Sequence, residues 1–416
     1  MLLAGACSGP RRGESARGGG RARTEITVQV SGEPEETAVY RGLAEEFEKQ
    51  NRDLKVDLVE IAEKDDHLAR LATAFSGGTP PDVFLVNFRE YSQFAVLGAI
   101  APIGPMLEEA GVDVDDYYPQ PVEAFTFDGE LTCMPQNISS LVVYYNVHLF
   151  EEAGLEPPAE GWTWDELRAT AQALTGDGNH GLGIEPSIIR IAPFVWGNGG
   201  DIVDDAEAPT RFTLDTPEAR EALEFILAMV RDDGSVPSEG DVAARDLETR
   251  FGQGTLGMLL SSRRDTPQFR EIDSLDWDVA PLPTGRKPAG ILHSDAYCIS
   301  QASEDHDAAY RFVEFATGET GQEITAAAGR TVPSLRSVST STAFLDPAQP
   351  PEHSQVFLDG IPYIRRTPVI ATWTEIEDAA EELLTRAFYE DGYTIDQLIE
   401  ELDAATQPLF EEARAP

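Results

Sequence analysis

An alternation of strand and helix signals near the start constrains this chain most. Ile26-Thr27-Val28-Gln29-Val30 repeats with period two, the pattern of a half-buried strand. Ser31-Gly32-Glu33-Pro34 reads as a turn, and Val39, Leu43 and Phe47 then share one helical face. Val56 to Ile61 forms a second strand. Leu68, Leu71, Ala72 and Phe75 mark a second helix, stopped by Gly77-Gly78. After Pro80-Pro81 and Asp82 comes an unbroken apolar run, Val83-Phe84-Leu85-Val86, which suits a parallel strand covered on both faces. A β-α-β-α-β order is the unit of an open α/β sheet, and such sheets take ligands beyond the carboxyl ends of their strands.

Length and composition set the frame around that unit. At roughly 150 residues per domain, 416 residues predict two domains, perhaps three. A hydrophobic share of 41% and a charged share of 25% are globular values. No apolar run of about 18 residues exists, so no spanning helix is expected. Asp and Glu number 74 against 31 Lys and Arg, a net charge of −43. So acidic a surface excludes nucleic acid, whose binding depends on neutralising phosphates, and argues against broad adhesion to anionic membranes. Cys7, Cys133 and Cys298 are too few for a disulfide scaffold and lack zinc spacing, and no metal or cofactor is expected.

Further along, Thr163-Trp164-Asp165-Glu166 is a capping box, and Thr216-Pro217 opens a helix carrying Leu223, Ile226, Leu227 and Val230 on one face. Gly257 to Leu260 and Ala296 to Ser300 read as strands, and Asp307 to Thr317 as a helix. The stretch 334–362 is loop-rich. Two helices are expected at the end, 374–389 and 394–402, the second opened by a Thr394-x-x-Gln397 capping box.

Met-Leu-Leu-Ala-Gly-Ala-Cys at the start resembles the lipobox of a bacterial lipoprotein signal, which implies lipidation of Cys7 and a natural start further upstream. Residues 8–23, rich in Gly, Arg and Ser, then read as a flexible tether whose five arginines can sit against anionic headgroups.

Several motifs occur in an order and spacing that resemble those of the extracellular solute-binding proteins of ABC importers, specifically the carbohydrate-binding class that includes maltose-binding protein. They are Ser76-Gly77-Gly78-Thr79-Pro80-Pro81-Asp82-Val83, Gly129-Glu130-Leu131-Thr132-Cys133-Met134-Pro135, Val143-Tyr144-Tyr145-Asn146 through Leu155, Trp162-Thr163-Trp164-Asp165-Glu166-Leu167, and Trp196-Gly197-Asn198-Gly199-Gly200. The resemblance covers nearly all of 24–410. It implies an α/β, type II periplasmic-binding-protein-like fold, two hinged lobes with a ligand cleft between them. The implied lobes are 24–136 plus 292–345 and 137–291 plus 346–416, with 1–23 as signal remnant and tether. The chain is expected to cross near Asn137, Ile291 and Leu345 to Pro350.

A sugar site needs planar polar side chains and aromatic platforms. By resemblance the candidates are Glu33 and Glu36 after the first strand, Asn87 and Arg89 after the strand ending at Val86, and Asn137 and Ser139 at the first crossing. Trp196 and Asn198 on the Trp-Gly-Asn-Gly-Gly loop, His293 and Asp295 at the second crossing, and Trp373 before a C-terminal helix complete them. Where relatives often carry a Gly-small-Trp loop this chain reads Ser261-Ser262-Arg263-Arg264, so Ser261 and Arg263 are candidates too, Arg263 as a planar multi-donor. The resemblance also brings Cys133 and Cys298 within reach of a disulfide. The implied function is capture of a carbohydrate outside the cytoplasm by a monomeric, lipid-anchored receptor serving two permease subunits and an ATPase. Two other readings stay open: a receptor for a phosphorylated or acidic solute, and a secreted glycosidase, which needs only two carboxylates.

Overall fold

The computed structural model describes residues 23–414; Cys7 and residues 8–22 of the expected tether lie outside them. Strands β1 (Thr24–Ser31), β2 (Leu54–Ile61) and β3 (Val83–Asn87) are parallel, with β1 between the other two. Asp295–Ser300 runs antiparallel against β3 and carries Ile100–Ala101 and Cys133–Pro135 beside it. Helix α1 (Pro34–Gln50) starts with Pro34, whose missing N–H costs nothing at a helix start, and buries Tyr40, Leu43, Ala44 and Phe47. Phe47 meets the ring of Phe312 edge-on at 5.3 Å. Helix α2 (Lys64–Gly77) ends where Gly78 takes a left-handed φ of 73°, and α3 (Phe88–Ala95) follows β3 directly, its first turn capped by the Asn87 side chain.

A second sheet has the order Trp277–Ala280, Val142–Asn146, Leu256–Ser261, His180–Gly183. Val142–Asn146 is buried along its whole length and antiparallel to both neighbours, while Leu256–Ser261 and His180–Gly183 are parallel. Helices Trp164–Ala173, Ile188–Gly197, Pro217–Arg231, Trp373–Tyr389 and Ile395–Glu412 supply or flank the second core. The capping boxes at Thr163 and Thr394 both form. The last helix runs ten residues beyond the expected end at Leu402. Its extra turns bury Thr406 and Phe410, and Phe410 packs edge-on against Phe212 at 5.6 Å, so tertiary contact carries the helix through Pro408.

The sheets are joined by extended segments lying side by side. Ser139 and His293 exchange backbone bonds, Ser139 N to His293 O at 2.8 Å and His293 N to Ser139 O at 2.9 Å. Gly290–Ile291 pairs in parallel with Ile364–Arg365, and Ser140 Oγ accepts from Ile291 N at 3.0 Å. A Cβ at Gly290 would stand 2.7 Å from that Oγ, so only glycine lets the two segments come this close. Later in the chain Tyr118 bonds Ser339 across the first core, whereas Arg270 bonds the Pro350 carbonyl and Asp278 bonds His353.

Cys133 and Cys298, which the resemblance brought within reach of each other, are directly opposed across paired strands and bridged, with S–S at 1.98 Å. The bridge closes a loop with a sequence separation of 165, which encloses all four strands of the second sheet. Closing so long a loop restricts the unfolded chain strongly, so Cys133→Ser with Cys298→Ser is expected to lower the unfolding free energy by about 2–5 kcal/mol. Urea unfolding of the natively oxidised protein and of the double variant checks this; equal midpoints would refute it.

Candidate functional site

The topology brings particular side chains to one place. β1, β2 and β3 share a carboxyl edge because they are parallel, so Glu36, Lys64, Arg89 and Glu90 all follow strand ends on that edge. Asp295 begins the antiparallel neighbour and pairs with Asn87, so it lies on the same edge. In the second sheet, Glu185, Ser187 and Arg190 follow His180–Gly183, while Arg264 and Asp265 follow Leu256–Ser261. Those strands are parallel too, so both loops leave one edge.

Asp295 anchors the first edge. Its carboxylate accepts from Asn87 Nδ2 at 3.1 Å and Asn137 Nδ2 at 3.0 Å, and its own N–H donates to Asn137 Oδ1 at 2.8 Å. Asn87 Oδ1 takes a bond from Arg89 Nε at 3.3 Å. Arg89 Nη1 then reaches Glu377 of helix Trp373–Tyr389 at 2.6 Å, tying the two halves together. Glu36 pairs with Arg330 at 2.7 Å and accepts from Tyr40 at 2.9 Å. Its carboxyl lies over Gly32, at φ 154°, where a Cβ would collide with it. Burial raises the Glu36 and Glu377 carboxyls above their usual value despite the opposing arginines.

On the other edge, Arg190 Nη2 pairs with Glu185 at 2.8 Å, and Arg264 pairs with Asp265 at 3.3 Å and Glu248 at 3.2 Å. Lys64 pairs with Glu90, a side chain almost wholly buried. His293 sits between the edges, in the crossing itself. Burial, reinforced by the charges of Arg190, Arg89, Arg264 and Lys64, holds its imidazole well below the ordinary value.

The structure thus brings together Glu36, Asn87, Arg89, Asn137, Ser139, His293 and Asp295 of the expected residues. Glu33 is exposed at the start of α1 and makes no capping bond. Five expected residues lie elsewhere or reach the site only through another side chain. Arg263 is 0% exposed; its Nε bonds Gly329 O, its Nη1 bonds Ser354, and its guanidinium lies over the rings of Phe344 and Phe357. It is core, and Arg264 takes the outward place. Trp196, 1% exposed, is packed in the second core with Arg365 over its ring at 4.7 Å, so it offers no free platform. Asn198 spends its Nδ2 on Glu218 O and Glu221, holding the start of helix Pro217–Arg231. Trp373 is fully buried beside Phe212 and reaches the site only through Nε1, which donates to Glu377 at 2.7 Å. Ser261 is buried and donates to Asp265, orienting the partner of Arg264.

Sequence reasoning missed Lys64, Glu90, Glu185, Arg190, Arg330 and Glu377. Arg190 had a signal: it is the one charged side chain in Ile188-Ile189-Arg190-Ile191-Ala192-Pro193-Phe194-Val195-Trp196. Among the described residues no cluster of His, Cys, Asp and Glu suits a metal ion.

The description of bacterial extracellular solute-binding proteins matches residues 31–323. The structure of an ABC substrate-binding protein from Listeria monocytogenes in complex with cycloalternan superposes with a TM-score of 0.85 at 26% identity, covering 93% of this chain and 99% of that one. A diacetylchitobiose-binding protein of Streptomyces coelicolor is 23% identical over 401 residues, 92% of this chain and 90% of that protein. An sn-glycerol-3-phosphate-binding periplasmic protein of Pectobacterium atrosepticum is 29% identical over 153 residues, 36% of this chain and 34% of its own length. The two-lobe α/β fold expected from the motifs is the fold found.

The depressed His293 has a consequence for stability. As pH falls below 6.5 the unfolded chain takes up a proton that the folded protein refuses, so stability is lost on acidification. The raised carboxyls of Glu36 and Glu377 act in the opposite sense. His293→Gln should therefore lose less stability than the unaltered protein between about pH 7.5 and about pH 5.5, read as urea midpoints. An equal loss would show that another group titrates.

Proposed function

This chain belongs to the bacterial extracellular solute-binding proteins, a family of receptors and not of enzymes, and from that premise we propose that it captures a neutral oligosaccharide for an ABC importer. The observation that carries this reading is the pairing of charge in the cleft. Lys64, Arg89, Arg190, Arg264 and Arg330 are each held by a carboxylate, and Asp295 is an additional anion bonded to asparagines. Such a surface presents donors and acceptors side by side with no cation left over. That matches hydroxyl groups, which both donate and accept.

A phosphorylated solute is the second reading, and its support is the likeness to the glycerol-phosphate receptor over about a third of the chain. An anion would have to sit beside the carboxylate that already holds each arginine, and that like-charge juxtaposition opposes it. The glycosidase reading falls with the family.

In this proposal residues 24–136 with 292–345 close against 137–291 with 346–416. Ligand favours closure only through contacts that the open form lacks. The closed, loaded monomer passes its sugar to two permease subunits powered by an ATPase, and lipidated Cys7 keeps it at the outer face of the membrane.

The test is thermal unfolding with maltotriose, N,N′-diacetylchitobiose and sn-glycerol 3-phosphate in turn. An oligosaccharide at a hundredfold excess over its Kd is expected to add about 2.7 kcal/mol of stability and to be recovered unaltered. A response to sn-glycerol 3-phosphate alone, or a cleaved sugar, would sink the reading.

A further inference from the structure

Most buried polar groups in a folded protein have partners, so those without one mark places where something else binds. In the cleft several collect around one side chain. Arg190 is 3% exposed, and while its Nη2 is held by Glu185, its Nε and Nη1 have no partner. Ser187 Oγ, at the N-cap of the helix Ile188–Gly197 that carries Arg190, and His293 Nε2 in the crossing are likewise buried and unpartnered. A guanidinium buried with two unpartnered nitrogens is costly, and oxygen acceptors supplied from outside remove the cost.

We propose that Arg190 is the specificity-determining residue on the second edge of the cleft, its Nε and Nη1 donating to hydroxyl oxygens of a neutral sugar that also engages Ser187 and His293. The inference rests on the reading of the cleft as a sugar site and adds to it the residue that reads the sugar. The composition of the cluster selects the ligand chemistry. A carboxylate or phosphate only accepts, which would satisfy Arg190 but crowd the carboxylate of Glu185. A hydroxyl accepts from Arg190 and can donate to Ser187 or the uncharged imidazole. Burial lowers the Arg190 pKa, as expected of a cation that water has largely left.

The experiment is calorimetric titration of maltotriose, cycloalternan and N,N′-diacetylchitobiose into the unaltered protein, Arg190→Met and Arg190→Lys. Melting of each ligand-free protein shows that it folds. Affinity for whichever probe binds is expected to fall about 10–100-fold in both variants, the worth of hydrogen bonds from a charged donor. Lysine keeps the charge beside Glu185 but lacks the Nε donor, so a role limited to charge balance would be rescued by Arg190→Lys. Affinity unchanged in Arg190→Met, or restored in Arg190→Lys, overturns the inference alone. Absence of binding by the unaltered protein overturns the sugar reading and the inference with it. An Arg190→Met chain that fails to fold leaves Arg190→Lys to decide.

Discussion

Reciprocal backbone bonding between Ser139 and His293 is the constraint on which the arrangement depends. It fixes two crossing segments at strand distance, and Gly290 lets Ser140 close the gap further. With the crossing fixed, the carboxyl edges of two separate sheets meet at one gap. Neither sheet alone assembles the set: Glu36, Arg89 and Asp295 come from one, Glu185, Arg190 and Arg264 from the other. His293 lies in the connection and at the gap at once.

The second organising fact is how charge is buried. Taking an ion out of water is costly unless a partner and further hydrogen bonds replace the solvent. Here carboxylates supply the partners, and Tyr40, Trp373 and two asparagines supply bonds. The exterior carries a large negative charge, which favours solubility and keeps anions away without affecting the approach of a neutral solute. An acidic surface and a charge-balanced gap are therefore compatible with one ligand class.

The fold could be read closely from the sequence because its signals are local. The period-two strand at Ile26, the apolar run after Asp82 and the capping boxes at Thr163 and Thr394 report on their own neighbourhoods, and all form. The site was only half legible. Residues at or just beyond strand ends, Asn87, Arg89 and Asp295, follow from position. Arg263 and Arg264 show what does not. They are neighbours of one type, and which turns inward is decided by the place between the rings of Phe344 and Phe357, 81 and 94 residues away from Arg263 in sequence. Trp196 and Trp373 fail as platforms for a related reason: an aromatic side chain near a loop is drawn into whichever core lies closest. Arg330 and Glu377 come from distant segments, and no local pattern marks them.

The cystine between the crossing strands has a bearing on biogenesis. Its first half is made with Cys133, its second only with Cys298, 165 residues later. Throughout that interval the thiol of Cys133 waits unpaired while every strand of the second sheet appears. The bridge can thus form only after the whole inserted sheet has been made, and a chain arrested before Cys298 could never acquire it.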